Sequence, residues 1–301
     1  MIIVVGSINL DLIGRVSRLP KPGETVAGTT FSTAPGGKGA NQALAARRAG
    51  AQVRMVGAAG KDYMGQQAIA LLEASGVDLS LLKRLDQSQG VAMIMVDDAG
   101  ENFIGILPGT NAAVTLMDAD AALRNAQKND VLIVQQEISQ AVTDHVLAMA
   151  KQRGLTTILN IAPFLNTTPT VATRAQYLVA NETEFALLAG KGELAETMQA
   201  WARKHNQTVI VTLGAEGARA AGPDGSQVNV PAFKVVPIDT VGAGDTFVGY
   251  LAAGLEGGRY DLAGAMRRAA IAASLACLKR GAQPSIPLVD DVDMALRRGS
   301  I

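Results

Sequence analysis

Two stretches of this chain carry residue types at spacings that could do chemistry. The first is Asp239-Thr240-Val241-Gly242-Ala243-Gly244-Asp245-Thr246-Phe247. Glycines permit tight turning and let another group approach the backbone closely. The apolar, Gly/Ala-rich run that follows to Leu255 reads as a helix. A helix starting there would aim free N–H groups at whatever sits in front, a ready site for phosphate. Asp245, inside that nest of amides, would be the carboxylate able to take a proton from an acceptor hydroxyl. The competing reading is that Asp245 only N-caps the helix.

The second stretch is Pro35-Gly36-Gly37-Lys38-Gly39-Ala40-Asn41-Gln42, which feeds an alanine-rich helical run with a stop at Gly50. Gly39 follows Lys38, which excludes the P-loop pattern, where Ser or Thr must follow. Gln42 stands where the dinucleotide fingerprint needs its third glycine. Lys38 and Asn41 could offer donors to a polyhydroxylated ligand that the glycines admit, or the segment could be a plain tight turn.

The elements around these stretches must position them. Ile2 to Val5 reads as a buried strand, and alternation puts Asn9 and Asp11 on one side of an extended continuation. Polar residues at the end of a buried strand mark where open α/β sheets bind ligands. Residues 15–34, with Pro20, Pro22, Gly23 and Gly28, read as strands and turns off the main sheet. Gln52 to Gly57 reads as a strand and Asp62 to Ser75 as an amphipathic helix closed by Gly76. Val91–Val96 and Asn102–Leu107 flank a turn-rich Asp97–Glu101 and read as a hairpin. From Thr115 onward helix and strand alternate, with strand cores at Val131–Val134, Thr157–Leu159, Tyr177–Val179 and Val209–Val211. Such alternation predicts an α/β fold with a central, mostly parallel sheet and helices on both faces. Glu137, Asn160, Asn181, Thr212 and Gly214 fall at the carboxyl ends of its strands. Asn181 and Glu184 also fit a capping box. Asp261 to Arg280 reads as a small-residue helix ended by Gly281.

Composition bounds the class. The 301 residues carry 27 basic and 27 acidic side chains and a net charge of zero, which argues against a nucleic-acid partner held by a broad basic surface. Cys277 is the one cysteine, so no internal disulfide forms and a reducing compartment is expected. The N-terminus lacks the pattern of a signal peptide, and no apolar stretch approaches the ~20 residues that span a bilayer. A soluble cytoplasmic protein without a membrane partner is expected.

Taken together and in this order, Gly36–Gln42 and Asp239–Phe247 resemble the two signatures of the ribokinase-like carbohydrate kinase family, with similarity from about Ile3 to Pro287. The resemblance implies ATP-dependent phosphorylation of a sugar hydroxyl, with the 5-hydroxyl of D-ribose as the first choice. Another acceptor (deoxyribose, a different sugar or a nucleoside) and a catalytically silent sugar-binding protein are the alternatives. Carried over position by position, Asn9, Asp11, Gly37, Lys38, Gly39, Asn41, Glu137 and Asp245 would bind the sugar. Asn181, Thr212, Gly214, Ala215, Glu216, Gly217 and Gly244 would bind the nucleotide. Gly242, Ala243 and Gly244 would form an anion hole, with Asp245 as the base. Mg²⁺ on the ATP phosphates is implied, as is a K⁺ site at Asp239, Val241, Ala276, Lys279, Gly281 and Ser285. The resemblance further implies one kinase domain over residues 1–301, whose β lid (about 12–34 and 91–112) pairs two copies as a homodimer. Two positions depart from the family pattern: Ala270 replaces a side chain often set beside the base, and Glu216 replaces a residue often basic.

Overall fold

The computed structural model describes residues 1–298. In chain order its strands are β1 (Ile2–Val5), β2 (Asn9–Val16), β3 (Gly28–Gly36), β4 (Val53–Gly60), β5 (Leu82–Leu85), β6 (Gly90–Val96), β7 (Asn102–Leu107), β8 (Val131–Val134), β9 (Thr156–Asn160), β10 (Tyr177–Asn181), β11 (Thr208–Thr212), β12 (Ala218–Ala221) and β13 (Gln227–Val230). The helices are α1 (Lys38–Arg48), α2 (Tyr63–Ala74), α3 (Leu116–Leu123), α4 (Gln140–Gln152), α5 (Thr168–Val171), α6 (Glu182–Ala189), α7 (Leu194–His205), α8 (Ala243–Leu255), α9 (Leu262–Ala276), α10 (Ala282–Ser285) and α11 (Val289–Arg298).

The larger sheet has nine strands in the order β13-β12-β11-β10-β9-β8-β1-β4-β5. It is parallel from β11 to β5, and the β12–β13 hairpin adds an antiparallel edge. β1 shows why it sits in the middle. All four residues are fully buried; Ile2 and Val4 join one core, Ile3 and Val5 the other. A strand covered on both faces needs a continuous apolar run, which is what Ile-Ile-Val-Val supplies. Helices α1, α2, α8, α9 and α11 pack on the first face, and α3 to α7 on the second.

The smaller sheet has the order β3-β2-β6-β7. Its β6–β7 hairpin turns where expected, the Asp97 carboxylate accepting from the Ala99 and Glu101 N–H groups. The layer is wider at its root than the expected 12–34: β2 begins at Asn9 and β3 runs on to Gly36, the two paired to each other. Its second limb ends at Leu107, and Gly109–Ala113 forms a short 3-10 turn packed at its base. Two further boundaries differ from expectation. α9 stops at Ala276 instead of Arg280, and α8 starts at Ala243, one turn before Phe247. No helix among the described residues is long and apolar enough to cross a membrane.

Candidate active site

The site begins where β1 ends. The glycines of the second motif bring the start of α1 against the β1–β2 junction. Gly37 has φ 87°, and a Cβ there would lie 2.6 Å from the Asn9 N. A Cβ on Gly36 would lie 2.5 Å from either Asp11 carboxylate oxygen. Glycine is therefore the residue that lets the turn and the acid share this space. Glu137 ties the parts together, accepting from Ser7 Oγ at 2.5 Å and from the Lys38 N–H at 3.0 Å. Asn9 is buried, and its Oδ1 accepts from Asn111 Nδ2 at 2.7 Å. Its own amide N–H groups are thereby left to donate. Asn111 is anchored in turn by the Ile8 N–H, which donates to its Oδ1 at 2.9 Å.

Electrostatically the cluster is four carboxylates around one lysine. Burial, with Glu137 and Asp245 adding repulsion and Lys38 opposing it, pushes Asp11 up to about 7. Burial works against the Lys38 charge, but Asp245, Glu137, Glu184 and Asp11 outweigh it and raise the ammonium above its ordinary value.

Asp245 does not cap α8. The N-cap is Gly242, in the left-handed region at φ 77° and ψ 0°. Asp245 sits in the first turn with its carboxylate aimed away from the helix backbone. Asn41 Nδ2 donates to Oδ2 at 2.9 Å and Gln42 Nε2 to Oδ1 at 2.8 Å. The amides around the carboxylate are thus side chains of the other motif, not the backbone nest expected from the glycines. At that helix start the Ala243 N–H donates to the Thr240 carbonyl at 3.3 Å and the Thr246 N–H to the Gly242 carbonyl at 2.8 Å, which leaves those of Gly244 and Asp245 without a backbone partner. A Cβ on Gly244 would meet no protein atom within 4 Å, so this backbone is open to a ligand.

Two cavities meet at Gly244. A cleft of about 140 Å³ is lined by Lys38, Asn160, Asn181, Glu184, Thr212 and Asp245, among others. Beyond it lies a larger, mostly apolar cavity of about 510 Å³, lined by Thr212, Gly214, Ala215, Gly217, Phe233, Ala243, Gly244 and Ala270, among others. Asn181 and Glu184 do form the capping box, each side chain accepting from the other's N–H, while also reaching the cleft. Glu216 is exposed and lines neither cavity. Ala270 lies in the wall of the larger one, where a small side chain leaves room.

The expected cation ligands fall on the loop before α8 (Asp239, Val241) and along the segment from the end of α9 (Ala276) to the end of α10 (Ser285). Asp239 accepts from the Val241 N–H at 3.0 Å and the Gly281 N–H at 2.9 Å. The Cys277 carbonyl, past the end of α9, accepts from the Ile238 and Asp239 N–H groups. Ser285 is buried and donates to the Ala282 carbonyl. The Ala276 carbonyl already accepts from the Lys279 N–H at 3.3 Å. Gln135, Ser7, Asn111 and Glu184 are site residues that motif reading missed, of which only Glu184 had a local signal, its capping box; Gln42 lay inside the glycine motif but was given no role there.

Comparison with known proteins shows the family. Residues 1–288 match the pfkB family carbohydrate kinase model, and the chain belongs to that family of phosphotransferases with an alcohol acceptor. It is 37% identical over 295 residues to a ribokinase of Bacillus subtilis, covering 98% of this chain and 99% of the relative. It is 34% identical over 301 residues to a deoxyribokinase of Salmonella typhi, covering 96% of each. A structure of Arabidopsis thaliana ribokinase complexed with ribose and ATP superposes with a TM-score of 0.88 at 30% identity, covering 98% of each chain.

Proposed function

We propose that this chain transfers the γ-phosphoryl group of ATP to the 5-hydroxyl of D-ribose, giving ribose 5-phosphate. The supporting observation is the place of Asp245, held by Asn41 and Gln42 between the Asn9–Asp11–Lys38–Glu137 cluster and the nucleotide-sized cavity. Asp245 takes the proton of the acceptor hydroxyl as the oxygen bonds to the γ-phosphorus and the bond to ADP breaks. The N–H groups opening α8, with Lys38, face the charge on the transferring group, so that positioning and electrostatics supply most of the catalysis. Thr212, Gly214, Ala215 and Gly217 cradle the nucleotide, whose base enters the apolar cavity beside Ala270.

Asn9 favours ribose over deoxyribose. A buried donor locked by Asn111 is left unpaired by an acceptor lacking its hydroxyl, and such sites discriminate strongly. Mg²⁺ fits the smaller cleft, where Glu184 and Asn181 offer oxygen donors and the ion would keep several waters. When bound, it neutralises charge on the ATP phosphates. K⁺ fits the Asp239 loops, which offer one carboxylate and backbone carbonyls, a donor set suited to a hard, singly charged ion. The chain is read as one cytoplasmic kinase domain, with the smaller sheet as a lid over the sugar and as the contact between two copies.

ADP release measured over a panel of pentoses, hexoses and nucleosides tests the reading, with K⁺, Na⁺ and a bulky organic cation compared at constant ionic strength. Ribose should give the highest kcat/KM, and K⁺ the highest rate. A nucleoside or deoxyribose ahead of ribose would overturn the acceptor, and no acceptor-dependent ADP release with any member of the panel would overturn the activity.

A further inference from the structure

Gln42 is fully buried and lines neither cavity, yet its one amide joins four chain segments. Its Oε1 accepts from Gln135 Nε2 at 2.7 Å. Its Nε2 donates to Asp245 Oδ1 at 2.8 Å and to Asn160 Oδ1 at 3.0 Å. Asn160 in turn donates to the Val179 carbonyl at 3.2 Å, which turns its oxygen toward Gln42. A carboxylate only accepts, so the Gln42 NH₂ must face Asp245, and Gln135 behind it holds the amide in that sense. With Asn41 on Oδ2, both oxygens of the proposed base are pinned, and a lone pair remains for the acceptor hydroxyl.

We propose that Gln42 is a positioning residue for Asp245: it sets the carboxylate's orientation without touching substrate. The inference rests on Asp245 being the base. Two contributions follow from the geometry. Orientation matters because a displacement of about 1 Å at a reacting group can cost about 100-fold in rate. Contact matters because a carboxylate put in place of the Gln42 amide would crowd that of Asp245, 2.8 Å from the present donor, and the pair would hold a proton more tightly.

The test uses Gln42→Leu and Gln42→Glu, each assayed with whichever acceptor the wild type turns over best, so that a wrong choice of sugar does not enter the result. Gln42→Leu keeps the side chain's bulk and removes both donors. Its kcat should fall about 10- to 100-fold, with the acceptor KM within about 3-fold of wild type, since no substrate contact is lost. Gln42→Glu sets a second carboxylate against Asp245, and the two would share a proton. The acid limb of its kcat–pH profile should move upward by about one unit or more, a shift that mere loosening of the fold does not produce. A Gln42→Leu enzyme with near-normal kcat overturns the proposal. So does a Gln42→Glu enzyme whose acid limb coincides with wild type, and this second readout stands alone should the leucine variant fail to fold.

Discussion

At Asp245 the structure changes what an amide substitution can report. Since Gly242 is the cap, Asp245→Asn leaves the helix start untouched. Its new N–H₂ group would confront a donor from Asn41 or Gln42, but Asn41 can turn its amide over, its Oδ1 being buried without a partner. The variant should therefore fold, with a melting temperature within a few degrees of wild type. Its kcat should fall by at least ~100-fold, because an amide cannot accept the acceptor proton. Near-normal turnover in the folded variant would remove Asp245 from the chemistry. Asp11 makes a second prediction at this scale. Its folded pKa, about 7, lies above the ordinary value of 3.8, so the folded protein retains a proton that the unfolded chain releases. Stability from this group is fully present below about pH 4 and is lost as pH rises through 7. Asp11→Asn should thus raise the melting temperature of the ligand-free protein more at pH 8 than at pH 5, and an equal change at both would refute the shift. Asp245, Lys38 and Asn41 were legible in the sequence because glycines beside them announce a turn where a ligand comes close. Gln42 lies in the same motif, but its role, like the roles of Gln135 and Asn111, was not legible, since it lies in partners about a hundred or more residues away.

The helix pair α1–α8 is the element that joins the two motifs, and small residues set its spacing. A Cβ on Gly249 would lie 2.5 Å from Ala45 Cβ and 2.6 Å from the Gln42 carbonyl oxygen. On the far side of α8, a Cβ on Gly254 would lie 2.7 Å from Ala265 Cβ in α9. Gly249→Ala and Gly254→Ala should each cost about 1–3 kcal/mol by overpacking, seen as a lower midpoint in urea. Gly249→Ala alone should lower kcat, because it pushes the Asp245 helix off the side chains that hold its carboxylate. Equal kcat in the two variants would show that this spacing does not matter. Most elements were legible because strand and helix periods alternate cleanly along the second half of the chain. The β12–β13 hairpin was not: Ala-Arg-Ala-Ala has neither β-branched residues nor alternation, and becomes a strand through its pairing to β11. The early start of α8 was hidden for a related reason, since Gly-Ala-Gly-Asp has poor helix propensity and is held by tertiary bonds.

Across the whole molecule, the outer part of the smaller sheet carries apolar side chains that the fold leaves uncovered. Register puts Phe31, Met93, Met95 and Phe103 together on the face opposite Asp11, with Phe31, Met93 and Phe103 more than half exposed. Pairing with a second copy would bury that apolar surface. Sedimentation at micromolar concentration should show a dimer, and Phe103→Asp should shift it to monomer; a dimer that survives the substitution would exclude this face. The layered α/β architecture was legible from alternation alone, while the pairing of Asn9 with Gly36 at the root of the smaller sheet was not, because register between distant strands leaves no local trace. The reach of Asn41 to Asp245, across 204 residues, also bears on how the chain is made. At a synthesis rate of ~5–20 residues per second, α1 leaves the ribosome about ten to forty seconds before α8. Until then the small-residue face around Ala45 has no partner, and half of the proposed site waits for the other half. Contacts this distant are slow to close, so in refolding the helical signal should recover first and turnover last, making the reaction itself a clock for completed assembly.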